Sequence, residues 1–325
     1  MGRVRIGVMG TADIARRRML PAFADHPDTE VTAVASRDPD RARQVAQHYG
    51  CRALDTYAEL LEAPDVDAVY VPLPNTLHAV WTERALRSGR HVLVEKPMAT
   101  DAHDTERLVA LAERSGLALV ENVMFVHHDA HRHVLRLIEE GAVGALRGMQ
   151  AVFAVPRRPE DDIRLRADLG GGALWDTGVY PVHAALHLLG EDLDVVGATL
   201  TGAGVDTSGA ALLRASGGVW VHLAFGIDHA YRNFYELWGD RGRLTVERAF
   251  TPPADAAPQV RLERDGKTSV VPMEPRDQVR ASVAAFVRAV REGRSDPTAP
   301  VRQARLLQRI RAAAEASPIG ASASL

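Results

Sequence analysis

A single cysteine, Cys51, leaves no partner for an intrachain disulfide and removes any cysteine-built zinc ribbon. It fits a reducing compartment. Long apolar runs are missing as well: none reaches the roughly 20 residues of a membrane-spanning helix. The N-terminus passes directly into a strand, which predicts no signal peptide. Nor is there an excess of one charge, since 39 basic side chains face 42 acidic ones for a formal net charge of -3. The longest basic run is Arg16-Arg17-Arg18, too short for a nucleic-acid footprint. These absences predict a soluble cytoplasmic protein with neither a membrane nor a nucleic acid as partner.

What is present is ordinary globular material, 46% hydrophobic and 25% charged over 325 residues, enough for about two domains. Val4 to Gly10 reads as a buried strand entering a glycine turn, and Thr11 opens a helix expected to run to about Pro21. The turn is Gly10-x-Ala12-x-x-Ala15, a variant of the glycine-rich dinucleotide turn with alanine where the backbone approaches a pyrophosphate. A second strand, Val31 to Ser36, follows about twenty residues later, as a dinucleotide fold requires. It ends in Ser36-Arg37, with Arg41 one helical turn on, where an NAD enzyme carries Asp or Glu. A hydroxyl and two guanidiniums suit a 2′-phosphate, so NADP(H) is expected over NAD(H).

Strand and helix continue to alternate. Asp67 to Val71 leads into Pro72-Leu73-Pro74-Asn75, a loop expected beside the nicotinamide ribose. Thr76 to Ser88 is a helix carrying Leu77 and His78; His91 to Val94 is a strand delivering Glu95-Lys96-Pro97. A further helix around Thr105 to Ser115 precedes Leu117 to Asn122. The pattern is that of a doubly wound parallel sheet. After Asn122 the character changes to a helix near Asp129 to Glu140 and then to strands with period-two alternation between Met149 and Glu247, predicting a mostly antiparallel open sheet. Arg276 to Glu292 and Val301 to Ala314 read as helices. Gly170-Gly171-Gly172 suggests a close approach of backbone, and Asp176, Tyr180 and His183 follow at helical spacing.

In order and spacing the chain resembles the Gfo/Idh/MocA oxidoreductase family over essentially its whole length. The pieces are Gly10 to Ala15, Glu95-Lys96-Pro97, the three glycines leading to Asp176-x-Gly178-x-Tyr180, and Trp238 to Leu244. Within it the chain is similar to NADPH-dependent NDP-hexose 3-ketoreductases, through Ala33 to Pro39, Tyr70 to Pro74, Met124 to His128, Asp162-Ile163-Arg164 and Gly178 to Val182. Many family members carry histidine where this chain has Tyr180, and aspartate where it has His183.

The resemblance implies an α/β chain: a Rossmann domain over residues 1–122, then an α+β domain over 123–325. The second domain would bind substrate and use its open sheet to form a homodimer or homotetramer, its C-terminal helix packing back on the first. The expected reaction is reduction by NADPH of the C3 ketone of a dTDP-linked 3,4-diketo-2,6-dideoxyhexose in deoxysugar and antibiotic biosynthesis. The cofactor would be held by Gly10, Ala12, Asp13 and Ile14 at the turn and by Ser36, Arg37 and Arg41 at the ribose. Pro72, Leu73, Pro74, Leu77, His78, Glu95, Lys96, Asn122 and Trp175 complete that set. Substrate would meet Lys96, His127, His128, Asp176 and Tyr180, with Arg164 at the diphosphate.

Tyr180 is assigned as proton donor and Lys96 as the cation beside it, because an ammonium lowers the cost of the phenolate. Direct donation by Lys96 is the alternative. His127 and His131 stand four apart, yet no third ligand confirms them and no metal is expected. Competing readings are a sugar 1-dehydrogenase or trans-dihydrodiol dehydrogenase using NADP, and a non-catalytic NADP(H)-binding sensor. Retention of both Lys96 and Tyr180 speaks against the sensor.

Overall fold

A strand buried on both faces has to be apolar where it is covered, and β1 (Val4–Met9) is so beyond Arg5, which pairs with Asp67: Ile6, Val8 and Met9 are fully buried. Even its glycine is sterically required, since a Cβ at Gly7 would stand 2.8 Å from the Leu60 side chain. In the computed structural model, which describes residues 2–190 and 193–317, this strand lies inside a six-stranded parallel sheet. The elements follow in the order α1 (Leu20–Asp25), β2 (Thr29–Ala35), α2 (Pro39–Tyr49), β3 (Arg52–Leu54), α3 (Tyr57–Glu62) and β4 (Ala68–Val71). Then come α4 (Asn75–Arg87), β5 (His91–Glu95), α5 (Ala102–Ser115) and β6 (Leu119–Asn122). The strand order β3-β2-β1-β4-β5-β6 reverses direction between β1 and β4, which places a crevice beyond their carboxyl ends.

Local chemistry sets the helix ends. Asp38 accepts the Arg41 N–H ahead of α2, and Asp101 accepts two N–H groups ahead of α5. Gly50 and Gly116 close the same helices in the left-handed conformation. The first helix departs from expectation. It widens into a π turn over Ala15–Met19 and continues as α1 to Asp25, past Pro21. The proline is tolerated because it falls in the first turn after the widened segment, where its missing N–H is dispensable.

The second unit begins at Met124 and runs to Gln278, with residues from Arg302 onward; Val279–Val301 cluster instead with the first unit. It contains α6 (Asp129–Glu139), β7 (Leu146–Ala154), α7 (Val179–Leu189), β8 (Leu193–Thr201), β9 (Ser208–Ala215) and β10 (Trp220–Gly226). After these come β11 (Arg232–Gly239), β12 (Gly242–Glu247), β13 (Gln259–Arg264), β14 (Lys267–Val271), α8 (Gln278–Glu292) and α9 (Thr298–Glu315). Eight strands make one sheet in the order β14-β13-β12-β11-β7-β10-β9-β8, antiparallel except where β7 meets β10. β13 and β14 lie beyond the strands read from sequence; their exposed, charged residues carry little of the alternation that marks a half-buried strand.

One face is core. Met149, Ala151, Val221, Leu223, Tyr235 and Leu237 point into it, while Gln150, His222, Glu236 and Trp238 alternate onto the other face. A ring-on-ring cluster fills the covered side. Phe125 packs edge-on against His131 and Phe250, and Phe153 against Tyr180, with centroid separations of 4.9–5.2 Å. His131 lies 2.9 Å from the Tyr235 hydroxyl, and His183 Nδ1 donates to Gln303 Oε1 at 2.5 Å.

Burial pushes the pKa of His131 down to about 3 and that of His183 to about 4. Both are therefore neutral in the folded protein, while the unfolded chain takes up protons below an ordinary histidine value of about 6.5. Their stabilisation is complete above that value and is lost as pH falls toward 4 and 3. Urea midpoints measured from neutral pH downward should fall in this window, by up to about 1.4 kcal/mol per pH unit for each histidine. His131→Gln should flatten the slope by that share; an unchanged slope would refute the assignment.

Candidate active site

The carboxyl ends of β1, β2 and β4 assemble the first cluster. Gly10 donates its N–H to the Ala35 carbonyl at 2.7 Å and has φ +102°, a conformation L side chains rarely adopt. A Cβ there would also stand 3.1 Å from the Leu73 side chain, so the glycine keeps the turn open. Thr11 and Ser36, both buried, share a hydroxyl–hydroxyl bond of 3.3 Å, tying the turn to the end of β2. Ser36 Oγ also accepts the Asp38 N–H. Arg37 is exposed, and Arg41 pairs with Asp38 at 3.2 Å.

The residues present fit an NADP(H) group. Gly10 keeps its positive φ at the turn, and β2 is followed by a hydroxyl and a guanidinium, Ser36 and Arg37, with no carboxylate at the strand terminus. Asp13 is occupied otherwise, in ion pairs with Arg16 and Arg17, while Ala12 and Ile14 are half-buried at the helix entry. Pro72, Leu73 and Pro74 form the loop after β4, where Leu77 N–H closes a turn onto the Pro74 carbonyl.

Three residues expected on the cofactor, His78, Asn122 and Glu95, have partners within the protein. His78 is fully buried, with one ring nitrogen 2.7 Å from the Pro97 carbonyl and the other 2.8 Å from that of Leu73. It braces the loop after β4 against the turn after β5. Asn122 is 2% exposed, and its amide is spent on Glu95 and Ser282. Glu95 is itself turned into the unit: its Oε1 accepts from Tyr70 and from Asn122, each at 2.7 Å. Burial raises its pKa, opposed by those two bonds and by the charge of Lys96. The Lys96–Pro97 peptide is cis, and Met98 N–H is received by Glu121.

In the second unit, Tyr180 stands at the start of α7, half-buried. Its ring is held by Phe153 at 4.9 Å, Phe250 at 5.8 Å and Phe125 at 6.2 Å. The expected run of Asp176, Tyr180 and His183 along one helical face is broken by a π turn over Leu174–Gly178, and His183 is buried. Trp175 is also buried. Arg164, expected at a diphosphate, is 2.8 Å from Asp176 and 3.2 Å from Asp162. Both carboxylates, Asp176 foremost, raise its pKa, so any anionic ligand would have to displace them. His128 is 1% exposed and caps α6 by accepting the Ala130 N–H at Nδ1; its neighbour His127 is half-buried. Among the described residues no three His, Cys, Asp or Glu side chains gather as metal ligands, and no helix is long and apolar enough to cross a membrane.

One compositional signal bears on this site directly. Of the 39 basic residues only Lys96 and Lys267 are lysines. A chain that uses arginine almost everywhere else has, after β5, the cation whose proton an environment can tune.

The family model for the NAD-binding Rossmann fold of the oxidoreductase family GFO/IDH/MocA matches residues 4–123, and that for the GFO/IDH/MocA C-terminal domain matches residues 131–245. The chain belongs to this family. It is 52% identical to the dTDP-3,4-didehydro-2,6-dideoxy-alpha-D-glucose 3-reductase of Streptomyces violaceoruber, covering 96% of this chain and 95% of that one. The same-named enzyme of Saccharopolyspora spinosa is 52% identical over 89% and 88% of the two chains. Among solved structures, a 3-ketoreductase from Actinomadura kijaniata in complex with NADP and TDP-benzene superposes with a TM-score of 0.94 at 47% identity, over 96% of this chain and 98% of that one. That enzyme has also been crystallised with one tyrosine changed to phenylalanine and with one lysine changed to alanine.

Proposed function

We propose that this oxidoreductase uses NADPH to reduce the C3 ketone of a dTDP-linked 3,4-diketo-2,6-dideoxyhexose, a step of deoxysugar assembly for antibiotics. The observation that carries the reading is 52% identity over nearly the full length to reductases of that substrate, joined to Lys96 after β5 and Tyr180 at the start of α7. In the Actinomadura enzyme the altered lysine and tyrosine are separated by as many positions as Lys96 and Tyr180 here. That supports taking these two as the catalytic pair.

The bound nicotinamide supplies the hydride that ends on C3 of the sugar. The chain has to supply one proton to the ketone oxygen and to stabilise negative charge there. Tyr180 donates the proton, a contribution of roughly 10²–10⁴-fold. Its ordinary pKa of about 10 makes the phenol a reluctant acid, and the Lys96 ammonium offsets this by favouring the phenolate. The three phenylalanines around the Tyr180 ring limit its orientations before substrate arrives. Asp176, held by Arg164, faces the sugar with His127; Arg164 orients that carboxylate and leaves the diphosphate to other groups.

Arg37 and Ser36 take the 2′-phosphate. The outward face of the second unit's sheet, with Trp220 39% exposed and Trp238 lying across Gly148, joins a second copy of the chain in a homodimer or homotetramer. Sedimentation of the purified chain checks this: monomers at micromolar concentration would exclude it. The lone thiol, Cys51, suits the cytoplasm as the place of reaction, which cell fractionation would test.

Two measurements test the mechanism. Tyr180→Phe should lower kcat about 10²-fold or more with little change in NADPH affinity, followed by loss of nicotinamide absorbance with freshly generated diketosugar. Lys96→Ala should do likewise, and wild-type turnover in both variants would reject the pair. For the cofactor, Arg37→Ala should raise the KM for NADPH by roughly tenfold or more while leaving that for NADH nearly unchanged. Equal effects on the two cofactors would remove the 2′-phosphate from Arg37.

A further inference from the structure

Glu95 and Asn122 end neighbouring strands of the first unit, and α8 enters that unit from a point far along the chain. The structure joins all three in one hydrogen-bonded chain. Ser282 Oγ, on α8, donates to Asn122 Oδ1 at 2.8 Å. Asn122 Nδ2 donates to Glu95 Oε1 at 2.7 Å, and its amide also meets Met19 Sδ at 3.6 Å. From β4 the Tyr70 hydroxyl donates to the same Oε1 at 2.7 Å. Tyr70, Ser282 and Asn122 are 0%, 1% and 2% exposed, and Glu95 9%.

The direction of these bonds matters. An asparagine amide can face a carboxyl group with either its N–H groups or its oxygen, and only the first arrangement suits an ionised carboxylate. Met19 Sδ, which can only accept, meets Nδ2 in that arrangement, and Ser282 completes it by donating to Oδ1. Two donors on one carboxylate oxygen then favour the charge that burial opposes. Other groups nearby do not compete. Glu121, from β6, receives Met98 N–H; His78, from α4, lies between the carbonyls of Leu73 and Pro97. The charged or titratable side chains facing Glu95 are Tyr70 and Lys96.

We propose that Ser282 and Asn122 are positioning residues for Lys96: by fixing the amide with its N–H groups toward Glu95, they keep a carboxylate beside the catalytic lysine. A carboxylate there holds Lys96 as an ammonium and pins the last residue of β5. The inference rests on the catalytic assignment of Lys96 made above, and it adds a contribution from α8 to that site.

The test compares Ser282→Ala and Tyr70→Phe with the wild-type chain by two readouts. The first is the protonation midpoint of Glu95, from pH-difference infrared spectra in which its carboxyl band is identified by loss in Glu95→Gln. The second is kcat and the NADPH KM against pH with the diketosugar. Tyr70→Phe should raise the midpoint by about one pH unit, the effect of losing one bond to a charged acceptor, and Ser282→Ala, which acts through the Asn122 amide, should raise it by a smaller amount. At a pH below the new midpoint kcat should fall about tenfold, with the NADPH KM within about twofold. Ser282→Thr, which keeps the hydroxyl, should restore the wild-type midpoint. An unshifted midpoint in Ser282→Ala would overturn the proposal, whatever Tyr70→Phe does and even if the melting temperature fell. Turnover by the wild type with an unshifted Ser282→Ala midpoint rejects this inference alone; shifted midpoints without any turnover of the diketosugar reject the proposed reaction and leave the network standing.

Discussion

A carboxylate buried at the end of a parallel strand constrains everything around it. Left unpaired, its desolvation would cost several kcal/mol or force it to take up a proton. Against this, each strand flanking β5 gives Glu95 a donor: Asn122 of β6, directly opposite it, and Tyr70 of β4, which stands opposite Leu93. Tyr70 has to be a phenol and Asn122 an amide for the strand to carry charge to its end, and apolar isosteres at either would leave the group short of donors. The parallel sheet is thus more than a platform. Its register decides which side chains lie beside the residue preceding Lys96.

The second unit meets a different demand. The proton transfer proposed for Tyr180 requires a phenol with a fixed ring and an accessible hydroxyl. Aromatic packing supplies the first, with Phe125, Phe153 and Phe250 contributed by three separate segments of the chain. The same cluster buries His131 and His183 in neutral form, so aromatic packing and histidine protonation are physically coupled there. Asp176 carries a negative charge close to the start of α7, and Arg164 answers it directly. An arginine that looks like an anion receptor in sequence is here the counter-charge of a carboxylate.

Much of this was legible in the residues. Alternating apolar runs gave the strands of the parallel sheet, the glycine turn gave its cofactor end, and period-two alternation gave most of the second sheet. What escaped has a common cause. The π turns at Ala15–Met19 and Leu174–Gly178 leave no periodicity distinct from an α-helix, so Pro21 looked like a stop and Asp176 like a residue one regular turn before Tyr180. His78 and His128 carry no mark of their partners, which are carbonyls and a backbone N–H set by the fold. Ser282 is separated from Asn122 by 160 positions, and no local pattern reports a bond at that distance.

The scarcity of lysine sharpens the chemical argument. Where a proton donor is histidine, an ordinary pKa of about 6.5 already lies close to neutrality. A tyrosine in that role starts about three units higher, and the difference has to come from its surroundings. Arginine would supply charge, but its planar, permanently protonated fork fixes geometry and cannot share a proton with the reacting oxygen. A lysine can do both. One of only two lysines in an arginine-dominated chain follows β5, and the pairing proposed for it with Tyr180 calls for a cation of this kind.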